Sequence, residues 1–317
     1  MTETRIVTVV DDMGREVTIH GCPERIVSLA PSNTELLFAL GLGNRTVGVT
    51  DQSDYPEEAL QIPSVGGYTT ISIERVVARR PDLVLAARGN TLDVLERLES
   101  FDFPVLVIDP ETIDDILDDI HLIGRATGTE CLAEELSDDL ASRIDAVTER
   151  VADRNETPTV AHVVWHDPIW VSGNHTFQDE VIRMAGGRNA FPDIDGWQIV
   201  SLEEFVSADP DYILVSSGTG MGEAGCDAVY NYIFTEPRLA RLDAVENHRV
   251  VLIDADTISR AGPRIVDALE EVAAAVNPDL FNWSAGTYSP AEQSPHSTMV
   301  SLLAIVCIAL FFAWKRK

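Results

Sequence analysis

SIERVVARRPDLVLAARG (Ser72–Gly89) recurs 129 residues further along the chain as SLEEFVSADPDYILVSSG (Ser201–Gly218), with seven of eighteen positions identical. In each copy a serine precedes a short helical pattern, Pro-Asp marks a turn, and an apolar run follows that is typical of a buried strand. Self-similarity at a constant offset indicates a duplicated structural unit. The sequence therefore predicts two copies of one domain, and a weaker match of Glu35–Gly41 to Glu180–Gly186 supports this.

Strand and helix patterns alternate around both copies. We expect an N-terminal hairpin at Thr4–Ile19, with its turn at Asp12–Arg15. In the first half we expect strands at Arg25–Ala30, Val47–Thr50, Leu83–Ala86 and Val105–Ile108, and helices at Thr34–Leu40, Ile73–Arg80 and Thr91–Ser100. The N-cap of the first of these helices would be Ser32, Asn33 or Thr34. In the second half we expect Val160–Trp165 (strand), Gln178–Ala185 and Leu202–Ala208 (helices), Tyr212–Ser216 and Val250–Asp254 (strands) and Pro263–Val276 (helix). Such alternation implies an α/β fold with mainly parallel sheets.

The middle of the chain has a different pattern. Ile113–Ala126 and Glu130–Arg154 are helical in periodicity, and the second stretch would be roughly 37 Å long as one helix at about 1.5 Å per residue. We therefore predict one long helix that joins the two lobes. The predicted domains are an N-terminal lobe (1–110), a helical connector (111–157), a C-terminal lobe (158–280), a flexible linker (281–296), a transmembrane anchor (297–314) and a basic tail (315–317).

The charge balance is strongly acidic, with 52 Asp and Glu against 23 Lys and Arg, for a net charge of -29. This field disfavours DNA and RNA as partners, because it would repel phosphate backbones. The acids are spread along the chain, which is typical of the solvated surface of a halophilic protein; an acidic face for a cationic partner is the alternative.

The C-terminus has the composition of a membrane span. Ser297–Trp314 is 18 residues without a charge, and Lys315–Lys317 follows as a basic cluster. The positive-inside rule predicts that this cluster stays cytoplasmic and that the lobes lie outside the cell. The linker contains a glycosylation sequon at Asn282, and an extracellular location would suit it.

Export of the lobes requires a signal, and Met1–Thr18 has no signal-peptide pattern. Cys22 follows Gly21 in a weak lipoprotein-like box, but no apolar segment precedes it, so we do not predict lipidation. A start upstream of Met1 is our preferred explanation; export without a cleavable signal and an inverted topology are the alternatives.

The repeat places one carboxylate at the start of a helix in each lobe, Glu74 and Glu203. Two interpretations stay open on the residues alone. The carboxylates complement the helix dipole, or they form a symmetric pair that docks on a two-fold partner with basic pockets.

No catalytic centre is predicted. The four cysteines, Cys22, Cys131, Cys226 and Cys307, are far apart, and Gly218–Gly222 lacks the Lys-Ser/Thr of a phosphate loop. His162 and His166, with Asp167, are the remaining candidates for a metal site. Two side chains four residues apart on a strand point to the same face but are separated by roughly 13 Å. The two histidines would therefore be too distant to share a metal ion, and no metal site is predicted.

Aromatic residues concentrate where ligand-binding loops are expected. Trp165, Trp170 and Trp197 fall in or beside predicted loops of the second lobe, and Tyr55 and Tyr68 in those of the first. Core packing explains any one of them, but together they suit the apolar walls of a cleft for a large planar ligand. Asp256 and Arg260 would supply polar contacts.

Several segments resemble the ABC-importer solute-binding proteins with a rigid interlobe helix, the family that carries vitamin B12, haem or ferric siderophores. The similarity extends from Thr8 to about Val276, and the segments that carry it are Asp12–Val17, Pro23–Glu35, Glu74–Leu85, Val171–Gly173, Ala185–Asn189 and Arg260–Arg264. Pro31–Glu35 and Ser53–Pro56 are most similar to the vitamin B12 binders. Gln52 stands where those proteins have an aromatic residue, and Ala87 where a tryptophan is expected.

The resemblance implies a function and a set of site residues. It implies a ligand cleft between the lobes, a cobalamin or related corrinoid as ligand, and delivery to an ABC permease dimer and its ATPase, with no cofactor and no enzymatic activity. Glu74 and Glu203 would dock on the permease, and the implied ligand contacts are Pro31, Asn33, Gln52, Tyr68, Trp170, Trp197, Asp256 and Arg260.

Two alternatives to a cobalamin receptor stay open. A haem or ferric-siderophore receptor would share the fold and differ only in its ligand contacts. A metal-dependent enzyme or chelatase on the same two-lobed fold would depend on His162 or His166.

Overall fold

The computed structural model describes residues 5–154, 156–217 and 227–281. The predicted anchor and basic tail, all of the linker except Phe281, and the Gly218–Gly222 loop lie outside the described residues, as do Cys226, Asn282 and Cys307. The chain divides into two compact units. Among the described residues, unit 1 comprises 5–142 and 260–263, and unit 2 comprises 143–154, 156–217, 227–259 and 264–281.

Unit 1 is an α/β unit built on a parallel sheet. Its elements in chain order are β1 (Ile6–Val10), β2 (Glu16–His20), β3 (Ile26–Ser28), α1 (Pro31–Ala39), β4 (Thr46–Gly48), β5 (Gly66–Gly67), β6 (Thr70–Ile71), α2 (Ile73–Arg79), β7 (Leu83–Ala86), α3 (Leu92–Glu99), β8 (Val105–Val107) and α4 (Ile113–Thr127). The sheet has the order β4-β3-β7-β8 with every pair parallel, and the predicted hairpin is β1-β2. Helices α2 and α3 cover one face, where the buried core includes Val76, Val84 and Leu98.

Helix α1 begins earlier than predicted. Its N-cap is Ala30, with no side-chain cap, and Pro31 occupies the first turn, where a fixed φ is tolerated and no N–H is needed. The prediction of Ser32, Asn33 or Thr34 as the cap was wrong. Asn33 and Thr34 are buried instead, because their side chains bond to neighbouring strand ends.

Helix α5 (Glu130–Ala152) follows α4 after a two-residue connection, and the boundary between the units falls within it. Its extent agrees with the predicted long helix to within two residues. Among the helices of the described residues, none combines the length and the apolar composition needed to cross a membrane.

Unit 2 is also α/β. Its remaining elements are β9 (Thr159–His166), β10 (Ile169–Ser172), α6 (Phe177–Met184), β11 (Arg188–Asn189), β12 (Trp197–Val200), α7 (Leu202–Ala208), β13 (Tyr212–Ser217), α8 (Asp227–Thr235), α9 (Asp243–Glu246), β14 (Val250–Asp254), α10 (Ala255–Ser259), α11 (Ile265–Val276) and α12 (Pro278–Phe281). The sheet order is β12-β10-β9-β13-β14, and β11 pairs with β9.

Unit 2's sheet is mixed rather than uniformly parallel. Strands β9, β13 and β14 are parallel, whereas β10 runs antiparallel to both β9 and β12. Strands β10 and β12 were not predicted. The parallel part of the predicted sheet is confirmed.

The sequence repeat corresponds to a structural repeat. Ser72 and Ser201 cap α2 and α7, and each accepts a hydrogen bond from the backbone N–H three residues later. Both helices end on a residue in the left-handed conformation, Arg80 (φ 50°) and Asp209 (φ 40°), before β7 and β13. The two copies therefore share their caps as well as their order of elements.

Candidate functional site

The candidate ligand contacts of unit 1 lie at one edge of its sheet. Because β3, β4, β7 and β8 are parallel, their carboxyl ends meet at the same edge, where ligands of open α/β sheets bind. The loops after these strands are residues 29–30, 49–56, 87–91 and 108–112. Pro31 opens α1 there and is half-buried. Asn33 is fully buried, and its Nδ2 donates to the Ala86 carbonyl at the end of β7.

Gln52 and Tyr68 are joined at this edge. The Gln52 Oε1 accepts a hydrogen bond of 2.9 Å from the Tyr68 N–H, which ties the loop after β4 to the β5-β6 turn. Both residues are half-buried.

Asn90, which the sequence did not single out, connects three loops at the same edge. Its Nδ2 donates to the Tyr68 carbonyl (3.0 Å) and the Leu29 carbonyl (3.2 Å), and its Oδ1 accepts from the Ala87 N–H (2.9 Å). Asn90 is 3% exposed. A buried amide with all these bonds fixes the loop conformations, because an unpaired polar group there would be costly.

The Tyr68 ring packs directly over Gly89. A Cβ at Gly89 would lie 2.0 Å from the Tyr68 hydroxyl oxygen and 2.4 Å from its Cζ. Only a glycine allows the ring to occupy this position.

Arg260 belongs to unit 1, although the chain around it belongs to unit 2. Its Nη1 pairs with Glu35 Oε1 at 3.1 Å and with Asp54 Oδ1 at 2.7 Å. Its Nη2 donates to the Gln52 carbonyl at 3.5 Å. The Glu35 side chain is 2% exposed and the Arg260 side chain 14%, so this is a largely buried ion pair.

The candidate tryptophans of unit 2 lie in strands, not in the predicted strand-to-helix loops. Trp170 of β10 is paired with Trp165 of β9 on one side and with Ile199 of β12 on the other. Directly opposed residues on antiparallel strands point to the same face. Trp170 and Ile199 therefore form an apolar row at the edge of the sheet, and Ile199 is 54% exposed. The Trp165 ring instead packs against the buried core of unit 2, 4.7 Å from the His166 ring. Trp197, opposite Ser172, lies on the same face because alternate residues share a face.

Asp256 is half-buried on α10, directly after β14. It is therefore at the carboxyl end of a parallel strand of unit 2.

His162 and His166 do not form a site together. A bulge in β9 opposite Trp170/Val171 shifts the alternation, so that His162 pairs with Ser172 and His166 with Ile169, on opposite faces. The expectation that both would point the same way was therefore wrong. Within the described residues no group of three or more His, Cys, Asp or Glu side chains is arranged to hold a metal ion.

Each histidine has its own surroundings. His162 is fully buried, with Nδ1 2.7 Å from Ser172 Oγ and Nε2 3.0 Å from Ser216 Oγ, and burial lowers its pKa to about 4. The His166 ring makes tilted contacts with the rings of Trp165 and Tyr232, whose centroids are 4.7 and 5.3 Å away. Burial also lowers the pKa of His166, although the negative charge of Asp167 acts in the opposite direction.

Glu74 and Glu203 occupy the same position in the two repeats, in the first turns of α2 and α7, and both are exposed. Glu74 bonds to its own backbone N–H and accepts from Ser72 Oγ at 3.1 Å, and these bonds lower its pKa. Glu203 pairs with Arg238 at 2.8 Å.

Residues 26–257 match the family model described as periplasmic binding protein. A relative in Bacillus subtilis (strain 168), an uncharacterized ABC transporter substrate-binding lipoprotein, is 32% identical over 287 residues, 88% of each chain. The chain belongs to the periplasmic binding protein family.

Two solved structures of this family are similar over most of the chain. The periplasmic vitamin B12 binding protein of Vibrio cholerae has a TM-score of 0.70 at 30% identity, covering 81% of this chain and 97% of that protein. The periplasmic haem-binding protein of Roseiflexus sp. RS-1 has a TM-score of 0.71 at 27% identity, covering 82% and 98%. The predicted family and its α/β fold are therefore confirmed, and the ligand stays a proposal.

Proposed function

We propose that this protein is the substrate-binding subunit of an ABC importer that captures cobalamin or a related corrinoid. The similarity to the vitamin B12 binding protein of Vibrio cholerae, 30% identical over nearly all of that protein, is the observation that carries the proposal. The apolar row in unit 2 also supports a broad planar ligand, since aromatic and aliphatic side chains in a row offer a flat contact surface.

The proposed contacts come from both repeats. In unit 1 they are Pro31, Gln52, Tyr68 and Arg260, and in unit 2 they are Trp170, Trp197 and Asp256. Asn33 is fully buried, so its role in this proposal is to position the end of β7 rather than to contact the ligand. Tyr68 is the best-positioned of them, because its backbone and ring are both held by neighbouring loops.

Calorimetric titration of the full chain in mild detergent with cyanocobalamin, at high salt, tests the proposal. We expect saturable one-to-one binding, weakened in Trp170→Ala and unchanged in Trp283→Ala, which lies in the predicted linker. A folded protein that takes up no cyanocobalamin would exclude the corrinoid assignment.

Haem is the second candidate ligand, because the Roseiflexus haem-binding protein covers as much of this chain as the B12 binder does. In that case haemin, and not cyanocobalamin, would saturate the protein in the same titration, and the importer role would be unchanged.

We further propose that Glu74 and Glu203 dock on basic pockets of the permease dimer, which delivers the ligand with energy from the ATPase. Their equivalent, exposed positions in the two repeats suit a two-fold partner.

The double variant Glu74→Ala/Glu203→Ala should abolish uptake by cells while leaving the dissociation constant of the ligand unchanged. The matched control Glu96→Ala/Glu246→Ala removes two exposed carboxylates elsewhere and should transport normally. A loss of affinity in the first variant would contradict the docking role.

Two remaining parts of the proposal concern location and chemistry. Ser297–Trp314 would anchor the protein with its lobes outside the cell, and the protein would catalyse no reaction. Deleting residues 297–317 should move the protein from the membrane fraction to the soluble fraction without changing its affinity; retention in the membrane fraction would contradict the anchor.

A further inference from the structure

The candidate ligand edge of unit 1 contains few cations. Its loops, together with residues 260–263, contain two arginines, Arg88 and Arg260, and no lysine. Arg88 is the second residue after β7, next to Gly89, on which the Tyr68 ring packs. Both arginines are therefore where they would meet the periphery of a ligand that contacts Tyr68.

Arg260 is held by two carboxylates, Glu35 at 3.1 Å and Asp54 at 2.7 Å. Glu35 is almost completely buried, so its charge acts on Arg260 through a medium that screens poorly. One guanidinium between two carboxylates leaves a net charge of about -1 for the group.

Arg88 has the same arrangement with different partners. Its Nη1 lies 3.0 Å from Asp109 Oδ2 and 3.0 Å from Glu111 Oε1, on the loop after β8. This second group is more exposed, with Glu111 at 73%, so its field is more strongly screened by water and salt. Asp51, exposed on the loop that contains Gln52, adds a further carboxylate to the edge.

We infer that this edge is a charge filter: Glu35, Asp54, Asp109 and Glu111 neutralise the two arginines and select ligands whose periphery is uncharged or cationic. A ligand with peripheral carboxylates would face net negative charge, and neither arginine could pair with it without leaving a carboxylate of the protein. A ligand with peripheral amides meets no such cost, because amides hydrogen-bond to carboxylates as donors. This inference rests on the proposed function, in that it assumes that the ligand contacts this edge.

The test uses two matched pairs of probes that differ in peripheral charge. Dicyanocobinamide, which carries amides, is compared with dicyanocobyrinic acid, which carries carboxylates, and haemin dimethyl ester is compared with haemin. Each probe is titrated into the full chain in detergent. We expect each uncharged probe that binds to bind at least about tenfold more tightly than its acid.

The variants remove one carboxylate at a time without changing shape. The preference is the ratio of the dissociation constant of the acid to that of the uncharged probe. Asp54→Asn and Glu111→Gln should each reduce this ratio several-fold, and Glu35→Gln should reduce it most, because Glu35 is buried. Asp118→Asn, exposed on α4 outside both arginine groups, makes the same change in net charge and should leave the preference unaltered. Because Asp54 and Glu111 are exposed, their variants remain informative even where Glu35→Gln fails to fold.

The outcomes separate this inference from the proposed function. Binding of cobinamide with rejection of cobyrinic acid supports both. Equal binding of the two corrinoids, or variants that leave their ratio unchanged, overturns the filter and leaves corrinoid binding intact. If neither corrinoid binds, the proposed ligand is wrong. In that case a preference for haemin ester over haemin supports the filter, and a preference for haemin overturns it.

Discussion

Replacing Asp119 with asparagine should make the protein more stable at neutral pH. Asp119 lies on α4, is 3% exposed, and hydrogen-bonds to the side chain of Asp12 in the hairpin turn. Its other carboxyl oxygen, Oδ2, is buried without a partner. Burial first, then the charge of Asp12, raise the pKa of Asp119 from 3.8 to about 9. At neutral pH its carboxyl therefore keeps a proton in the folded state and loses it on unfolding.

The direction of the pH effect follows from this difference in bound protons. Between the unfolded pKa, near 3.8, and the folded pKa, about 9, the folded state holds one proton more than the unfolded state. The free energy of unfolding should therefore decrease as pH rises, by at most about 1.4 kcal/mol per pH unit. Compared with a side chain that stays neutral at every pH, Asp119 should lower the free energy of unfolding by at most about 4 kcal/mol at pH 7 and by at most about 2 kcal/mol at pH 5.

Asparagine at 119 can donate to Asp12 without holding a titratable proton. The stabilisation by Asp119→Asn should thus increase from pH 5 to pH 7, as measured by urea unfolding of the full chain at each pH. Asp12 and Asp109 lie close to Asp119 and also have raised pKa values, mainly because of burial. The free energy of unfolding of the variant should therefore still decrease with rising pH, but less steeply than that of the wild type. Asp118→Asn, one residue away and exposed, should match the wild type at every pH. A destabilised Asp119→Asn whose pH dependence equals that of the wild type would refute this reasoning.

Three further predictions concern the candidate site and the surface. Gly89→Ala should displace the Tyr68 ring and weaken cyanocobalamin binding about tenfold, with no further loss when it is added to Tyr68→Ala; independent losses would contradict the contact. Asn90→Ala should lower the free energy of unfolding by about 2–4 kcal/mol, because a buried side chain loses three hydrogen bonds, and a change under about 0.5 kcal/mol in urea unfolding would contradict its role. Raising KCl from about 0.1 to 1 M, which shortens the screening length from about 10 to 3 Å, should raise the melting temperature of this protein of net charge -29. A falling melting temperature would contradict a self-repelling surface.

Local sequence patterns were sufficient to predict much of the fold. Ser72 and Ser201 predicted the two helix starts, because a capping hydroxyl acts within three residues, and β7, α7 and β14 have the predicted bounds. Strands β10 and β12 were missed, because four residues each give too short a pattern to distinguish from a loop.

The candidate site was less accessible to sequence reasoning, since its interactions connect distant positions. Arg260 pairs with Glu35 and Asp54, 225 and 206 positions away, so nothing local shows that its charge is already neutralised. The opposite orientations of His162 and His166 depend on one bulge in β9, which no periodicity reveals. The role of Asn90 likewise depends on three loops that meet only in the folded unit.

A competition between cyanocobalamin and haemin tests whether this protein is a corrinoid receptor. The full chain in detergent is incubated with equal amounts of cyanocobalamin and haemin, free ligand is removed by gel filtration, and the visible spectrum of the protein fraction identifies what stays bound. We expect a corrinoid spectrum with one equivalent per chain, and we expect the Trp170→Ala/Tyr68→Ala variant to lose it. A haem spectrum, or a protein fraction without bound pigment, would contradict it.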